Sequence, residues 1–363
     1  MRGKKRFTMD RMNQIRVLVV DDSAMYRAIV QDVLSDFEDV LVVGTAENGR
    51  KAIEAVAAYR PDMVVLDIDM PEMDGMAVLQ VLQQQFGHVV PVMFSAHTFE
   101  GAQLTVEALQ QGAFDFIPKP STGTLWTNRM LLKNRLSSIL EAVKRIKRIR
   151  FNIEKQPSPY SKPLPIRNSD TRSRVVGIGV STGGPQALLQ VIPKFPADLE
   201  VPVLIVQHMP AVFTTVLAQK LDNVSRIRVK EAEDAEPLLP ATAYIAPGGK
   251  HLCVTPSSRS LSSREIRITD DPPENNCKPS ADVLFRSLAE HFGAQATGVI
   301  MTGMGADGVE GLRRMKAEGA TIIAQDEASC AVFGMPRKAI EADIVDIVAP
   351  IETLAAHILH TIR

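Results

Sequence analysis

At 363 residues, with 45% hydrophobic and 23% charged residues, the chain is long enough for two domains, each with its own core. A formal net charge of -1 leaves no electrostatic footprint for nucleic acid, and no apolar run nears the roughly 18 residues needed to cross a bilayer. Cys253, Cys277 and Cys330 are scattered, with neither a disulfide framework nor metal-ligand spacing, so a reducing cytoplasm is the expected compartment.

The chain opens on MRGKKRFTMDRMNQ, basic but without the apolar centre of a secretory signal; residues 1–14 are expected to be a disordered leader or to precede an alternative start. From 15 to 124, the apolar runs IRVLVV, VLVVGTA, DMVVLDI, VPVMFSA and FDFIPK alternate with amphipathic stretches. This alternation predicts a five-stranded, doubly wound parallel sheet covered by helices. Ligands of such sheets bind beyond the carboxyl ends of the strands, and here polar residues end the runs as a set. Asp21 and Asp22 follow the first run, Asp67 ends the third, Ser95 the fourth and Lys119 the fifth. A lone Asp pair is usually an exposed turn; the five-part arrangement is much more specific. Crowded carboxylates are unfavourable unless a divalent cation compensates them, and hard oxygen ligands with water suit Mg²⁺. Asp67 is then the expected nucleophile, forming an acyl phosphate, with Lys119 and Ser95 contacting the new phosphoryl oxygens.

The segments VLVVDDSAMYR, VVLDIDMPEMDG, MFSA and DFIPKP closely resemble a response-regulator receiver domain. That resemblance implies that Asp67 is the phosphoacceptor, that Asp21, Asp22 and the backbone of Asp69 help hold Mg²⁺, and that Ser95 with Phe116 transmits the change. It also implies a partner histidine kinase as phosphodonor and an output elsewhere in the chain.

Residues 125–173 form the junction. In LKNRLSSILEAVKRIKRIR, Leu132, Leu136, Ile139, Val143 and Ile146 recur at spacings of three and four, which predicts an amphipathic helix packed on one side and basic on the other. From about 152 to 173 the composition turns to proline, serine and charge without periodicity, as in a flexible linker.

The last region, 174–363, alternates apolar runs and helical patterns on a larger scale. Its chief feature is Ser181 in GVSTG, between the apolar run VVGIGV and the helix-like PQALLQVI. A serine on a tight strand-to-helix turn presents its hydroxyl at the sheet edge. His208 follows VPVLIVQ, and Asp307 lies in a glycine-rich loop after ATGVIMTG, so all three are expected at one edge. Taken singly, Ser181 or Thr182 is equally a helix cap, His208 a structural histidine before Pro210, and Asp307 a turn residue. Three readings of the serine compete. A nucleotide loop fits poorly, because Gly177, Gly179 and Gly183 space as GxGxxxG. An α/β-hydrolase elbow would order its triad Ser, acid, His. A different α/β serine hydrolase, ordered Ser181, His208, Asp307, is favoured, since triad geometry arises with any order. His251 in APGGKHL is the second candidate base. Backbone N–H groups of the serine turn and of MTGMGADG supply an expected oxyanion hole.

The blocks GVSTGGP, VQHMPAVFTTVLAQKLD, YIAPGGKHL, KPSADVLFRSLAEHFG, MTGMGADGVEGL and AQDEASCAVFGMPRKAIE resemble the catalytic domain of the chemotaxis protein-glutamate methylesterases, the CheB family. The resemblance implies hydrolysis of glutamate methyl esters, and deamidation of glutamines, on methyl-accepting chemoreceptors. It implies Ser181, His208 and Asp307 as triad, the Met304 amide as oxyanion donor, Thr182 as a supporting hydroxyl, and no cofactor in the esterase site. It further implies a receiver that covers the catalytic cleft until Asp67 is phosphorylated. Val180 stands where the family usually has alanine, Leu217 where phenylalanine is frequent and Lys278 where arginine is frequent; the last removes a bidentate fork. Neither nucleic acid nor direct membrane insertion is expected. The alternative is a receiver-linked adaptor with an inactive esterase-like domain; a DNA-binding regulator would need a basic helix-turn-helix that the sequence lacks.

Overall fold

The computed structural model describes residues 14–96, 98–120, 124–151, 172–257 and 260–362. All but the last residue of the expected leader, and nearly all of the expected linker, lie outside the described residues. The chain divides into two units, Met1–Lys155 and Gln156–Arg363.

In the first unit, β1 (Ile15–Val20), β2 (Val40–Ala46), β3 (Met63–Asp67), β4 (Val90–Ser95) and β5 (Asp115–Pro118) form a sheet of order β2-β1-β3-β4-β5. Every pairing is parallel. The inner strands β3 and β4 are buried along their whole length, as continuous apolar runs covered on both faces require. Between the strands run α1 (Ala24–Leu34), α2 (Gly49–Tyr59), α3 (Gly75–Gln85) and α4 (Phe99–Gln110). Asn48, Asp74 and Thr98 cap α2, α3 and α4 by accepting from Lys51, Ala77 and Gly101 N–H.

The predicted amphipathic helix is α5 (Leu125–Phe151). Leu132, Leu136, Ile139, Leu140 and Val143 pack into the core of this first unit, with Ile146 partly buried against it. Its basic side does more than face solvent. Arg135 pairs with the buried Asp115, Arg129 and Lys133 with Asp36, Lys144 with Asp39 and Lys147 with Asp62. The Arg135–Asp115 pair is the one to weigh first, because its carboxylate is fully buried and exposed pairs contribute little.

In the second unit, β6 (Val175–Val180) lies at the centre of a seven-stranded sheet of order β14-β13-β12-β6-β7-β9-β8. Its other strands are β7 (Val203–Gln207), β8 (Arg228–Glu231), β9 (Thr242–Ile245), β12 (Ala296–Ile300), β13 (Thr321–Gln325) and β14 (Ile347–Ala349), again all parallel. Helices α6 (Gly184–Val191), α7 (Ala211–Val224), α8 (Ala281–Phe292), α9 (Val309–Ala317), α10 (Met335–Glu341) and α11 (Ile351–Ile362) cover it. An antiparallel hairpin of β10 (His251–Ser257) and β11 (Ser260–Thr269), which periodicity did not announce, precedes α8 and joins the same core through Leu252, Val254 and Ile266.

Both sheets switch direction beside their first strand: between β1 and β3 in one, between β6 and β12 in the other. Crevices at such points are where open α/β sheets bind ligands. The glycines of the GxGxxxG stretch have a packing reason. A Cβ on Gly177 would lie 2.5 Å from Leu288 Cδ1, and one on Gly179 2.9 Å from Ala281 Cβ. They let α8 lie close on β6, which sets the position of that helix's N-terminus.

Candidate active site and phosphoacceptor site

Strand register brings Ser181 and His208 together. Val180 pairs with Gln207, so the two side chains stand one residue beyond the last rungs of neighbouring strands, and His208 N–H donates to Val180 O at 3.2 Å. Neither hydroxyl of the serine turn caps the following helix: the N-cap of α6 is Gly183, in the left-handed region at φ 73°. Ser181 is instead fixed through its backbone. Its N–H donates to Thr302 O at 2.9 Å, and its carbonyl accepts from Gln207 Nε2 at 3.0 Å and Gly184 N–H at 2.8 Å. Gly303 lies against it so closely that a Cβ there would sit 2.7 Å from Ser181 Cβ.

Asp307 reaches the same edge from the loop between β12 and α9. Its Oδ2 lies 2.8 Å from His208 Nε2 and accepts from Ala281 N–H at 2.6 Å; its Oδ1 accepts from Ser280 Oγ at 2.6 Å and, at longer range, from Asn275 Nδ2 and Asp282 N–H. Ser280, Ala281 and Asp282 open α8, so this carboxylate sits on a helix N-terminus, where backbone N–H groups and the dipole favour negative charge. Burial works against ionisation, but His208, Ser280 and Ala281 N–H outweigh it and hold Asp307 down at about 2. Burial likewise disfavours the imidazolium of His208, yet Asp307 and Cys277 push it up to about 9.

The imidazole is oriented unusually. Asp307 holds Nε2, which leaves Nδ1 as the free lone pair, and Nδ1 lies 3.7 Å from Cys277 Sγ. In the familiar serine-protease arrangement the carboxylate holds Nδ1 and Nε2 faces the serine. Among the described residues the Ser181 hydroxyl makes no hydrogen bond, to His208 or to any other group. The Thr182 hydroxyl and the Met304 amide likewise engage no acceptor among the described residues.

His251 stands apart from this constellation. It is buried, its Nδ1 accepts from Ser280 N–H at 3.2 Å, and its Nε2 therefore carries the hydrogen, directed to Pro272 O at 3.1 Å. It steadies the N-cap that holds Asp307. Lys278 is engaged by Asp270 at 2.6 Å.

Several residues of this site were not singled out from sequence: Gln207, Asn275, Cys277, Ser280 and Thr302. Thr302 links three segments, donating from Oγ1 to Thr182 O while accepting from Val332 N–H, with its own N–H on Gln325 Oε1. Gln207 was the most accessible of them, a fully buried amide ending an apolar strand directly before His208.

In the first unit, Asp21, Asp22 and Asp67 place carboxylate oxygens within 4.8 Å of one another. Lys119 Nζ bridges two of them, at 2.7 Å from Asp67 Oδ1 and 2.9 Å from Asp21 Oδ2, and lies 4.7 Å over the Tyr26 ring. Asp67 Oδ2 is buried without a hydrogen-bond partner among the described residues. Burial pushes the Asp67 carboxyl up to about 6, with the charges of Asp21 and Asp22 adding to the effect and Lys119 opposing it. Asp21 is raised for the same first reason. Asp69 is exposed two residues beyond β3, its carbonyl accepting no hydrogen bond among the described residues.

Ser95 and Phe116 are both buried. Ser95 lies one residue beyond Phe94, the partner of Asp67, but its hydroxyl donates to Gly101 O at 3.0 Å rather than toward the carboxylates. The Phe116 ring lies under the Arg135 guanidinium, 5.5 Å away.

Known proteins divide the chain in the same way. The family model for CheB methylesterase matches residues 176–358, and that for the response regulator receiver domain matches residues 17–129. A protein of Desulfotalea psychrophila named protein-glutamate methylesterase/protein-glutamine glutaminase is 44% identical, over 97% of this chain and 100% of its own length. One of Geobacillus kaustophilus with the same name is 44% identical, over 97% and 99%. The crystal structure of the Thermotoga maritima CheB methylesterase catalytic domain is 38% identical at a TM-score of 0.50, covering 52% of this chain and 98% of that one. The chain therefore belongs to the CheB methylesterase family, in the form that carries a response regulator receiver domain ahead of the catalytic one.

Proposed function

We propose that this chain is a phosphorylation-activated protein-glutamate methylesterase and protein-glutamine glutaminase of chemoreceptors, acting in the cytoplasm. No helix among the described residues is long and apolar enough to cross a membrane. The domain reading is a receiver over 15–124, a helix and linker over 125–173 and a catalytic domain over 174–363. One observation carries the chemistry: a carboxylate seated on a helix N-terminus binds His208, which stands beside Ser181 at adjoining strand ends.

Ser181 Oγ attacks the ester carbonyl while His208 Nδ1 takes its proton, and Asp307 stabilises the imidazolium through Nε2. The Met304 amide, which engages no acceptor among the described residues, and the turn at Thr182 supply donors for the oxyanion. Methanol leaves with the proton from His208. Water then attacks the acyl-enzyme with His208 again as base, releasing the glutamate carboxylate and restoring Ser181. With a glutamine side chain the leaving group is ammonia.

In the receiver, Asp67 is the proposed phosphoacceptor and a histidine kinase the phosphodonor. Asp21, Asp22, Asp67 and the Asp69 carbonyl would hold Mg²⁺; the close carboxylates and the orphaned Asp67 Oδ2 fit that ion. When bound, it neutralises charge on the incoming phosphoryl group. Lys119 already stands at Asp67, whereas Ser95 must release Gly101 O to reach a new phosphoryl oxygen, and that exchange, with Phe116 beside it, is the proposed switch.

Methanol release from methylated receptor membranes tests this reading in wild type, Ser181→Ala and Asp67→Asn, each with and without a small-molecule phosphodonor. Release should vanish in Ser181→Ala and respond to phosphodonor only when Asp67 is present. No release from wild type despite confirmed Asp67 phosphorylation would establish the adaptor instead.

A further inference from the structure

Cys277 belongs to no step of the proposed reaction, yet its sulfur lies 3.7 Å from the one ring nitrogen that the reaction needs as base. The turn that carries it is pinned. Glu274 and Cys277 exchange backbone hydrogen bonds, Glu274 is held by Arg286, and Asn275 donates to both Asp282 and Asp307. The thiol is free and half-buried, donating to Asn275 O at 3.5 Å. Sulfur and imidazole nitrogen are thus presented in fixed relative positions.

Two tetrahedral zinc ligands, a thiolate at about 2.3 Å and an imidazole nitrogen at about 2.0 Å, leave sulfur and nitrogen about 3.5 Å apart. The observed Sγ to Nδ1 separation is 3.7 Å. The other ring nitrogen of a metal-bound histidine typically donates to a carboxylate, which fixes the tautomer and raises the ligand's basicity. His208 Nε2 already does so, 2.8 Å from Asp307 Oδ2, and donor atoms of all three residues fall within 4.8 Å of one another. A thiolate with an imidazole is a soft to borderline donor pair, which selects Zn²⁺ over Mg²⁺ or Ca²⁺.

We propose that Cys277 and His208 form an inhibitory site for Zn²⁺, with Asp307 as the carboxylate behind the histidine and water completing the coordination. Binding releases the thiol proton and, from an imidazolium, the proton on Nδ1 as well, and the metal then occupies that nitrogen. The inhibition rests on the reading of His208 as general base; the binding does not.

The test uses the full chain freed of metal by chelation. Co²⁺, a spectroscopic stand-in for Zn²⁺, should give a thiolate charge-transfer band that Zn²⁺ abolishes and millimolar Mg²⁺ does not. The band should be absent in Cys277→Ser and His208→Gln, and present in Cys253→Ala and Ser181→Ala. Asp307→Asn should weaken zinc affinity about tenfold or more. In parallel, zinc should suppress methanol release by wild type, reversibly with chelator, and leave Cys277→Ser at its own zinc-free rate. A band that survives Cys277→Ser, no band in wild type, or equal zinc inhibition of wild type and Cys277→Ser overturns the proposal. A wild type that binds Co²⁺ but releases no methanol when zinc-free overturns the esterase reading and leaves the metal site standing.

Discussion

The two polar clusters occupy equivalent places, each beyond the strand ends at the point where its sheet changes direction, but their hydrogen-bond accounts are opposite. Asp307 has a donor for each oxygen and is held at about 2. Asp67 has one oxygen on Lys119 and the other on no partner among the described residues, and burial among like charges raises it to about 6. The role proposed for Asp307, orienting a base through every turnover, is served by full satisfaction, which removes any need for reorganisation. The role proposed for Asp67, accepting a cation and a phosphoryl group, is served by being left short of partners. One topology thus carries a preorganised site and a site poised for ligands.

The comparison breaks most sharply at Asp307. Asp307→Asn keeps an oxygen for Ser280 or Ala281 but turns an amide donor toward His208 Nε2. That reverses the tautomer and puts the ring hydrogen on Nδ1, where the base should be. Methanol release should fall about 10⁴-fold with the fold intact by circular dichroism. A loss of tenfold or less would mean that Asp307 only supports the loop.

At Asp67 the same change should help the fold. Its folded pKa of about 6 stands above the ordinary 3.8, so ionisation costs stability once the pH exceeds both values. At pH 7 without Mg²⁺, Asp67→Asn should therefore stabilise the first unit, by about 3 kcal/mol at most. In calorimetry of the full chain, Mg²⁺ should raise one transition in wild type, and Asp67→Asn should raise that transition without Mg²⁺. A fall in that transition would show that Asp67 is satisfied after all.

A smaller effect concerns pH. With His208 at about 9, the neutral base is scarce at pH 7, and methanol release should climb about fifty-fold between pH 7 and 9. Stability should run the other way. The raised His208 pKa contributes fully below 6.5 and is lost as pH rises through about 9; the lowered Asp307 pKa contributes above 3.8 and is lost as pH falls through about 2. The second unit should thus be most stable between about pH 4 and 6.5, where it is least active. An activity plateau from pH 7 upward would place the base elsewhere.

The placement of Ser181, His208 and Asp67 was legible in the sequence because each directly ends or follows a buried strand, and parallel register carries such positions to one edge of their sheet. Asp307 was legible through its glycine-rich loop after another strand. Cys277, Ser280 and Asn275 were not. They lie about thirty residues upstream of Asp307 in a turn that follows the unannounced β10–β11 hairpin, and they meet it only because Gly177 and Gly179 admit α8 against β6. The nitrogen of His208 that faces Asp307 was equally hidden, since it depends on where that helix begins. In the first unit the burial of Ser95 followed from its strand, but not its bond to Gly101 O, which the start of α4 decides.

The finest point of the comparison is whether the donors on Asp307 act on its charge or merely fill space. Ser280 separates these. Its hydroxyl makes no cap bond to α8, so its removal leaves the helix's own hydrogen bonds intact. It does supply the one short bond to Asp307 Oδ1. A hydrogen bond to a buried charge contributes about 1.5–3 kcal/mol, and Ser280→Ala should destabilise the second unit by about 2 kcal/mol. Activity should fall by less than about tenfold, because His208 and Ala281 N–H still hold Oδ2. The distinguishing readout is acid unfolding. With a donor gone, the Asp307 carboxyl rises from about 2, so its stabilising contribution is lost at a higher pH as acid is added. An unchanged acid midpoint with reduced stability would make Ser280 a packing residue, and the full satisfaction of Asp307 would then rest on the helix N-terminus alone.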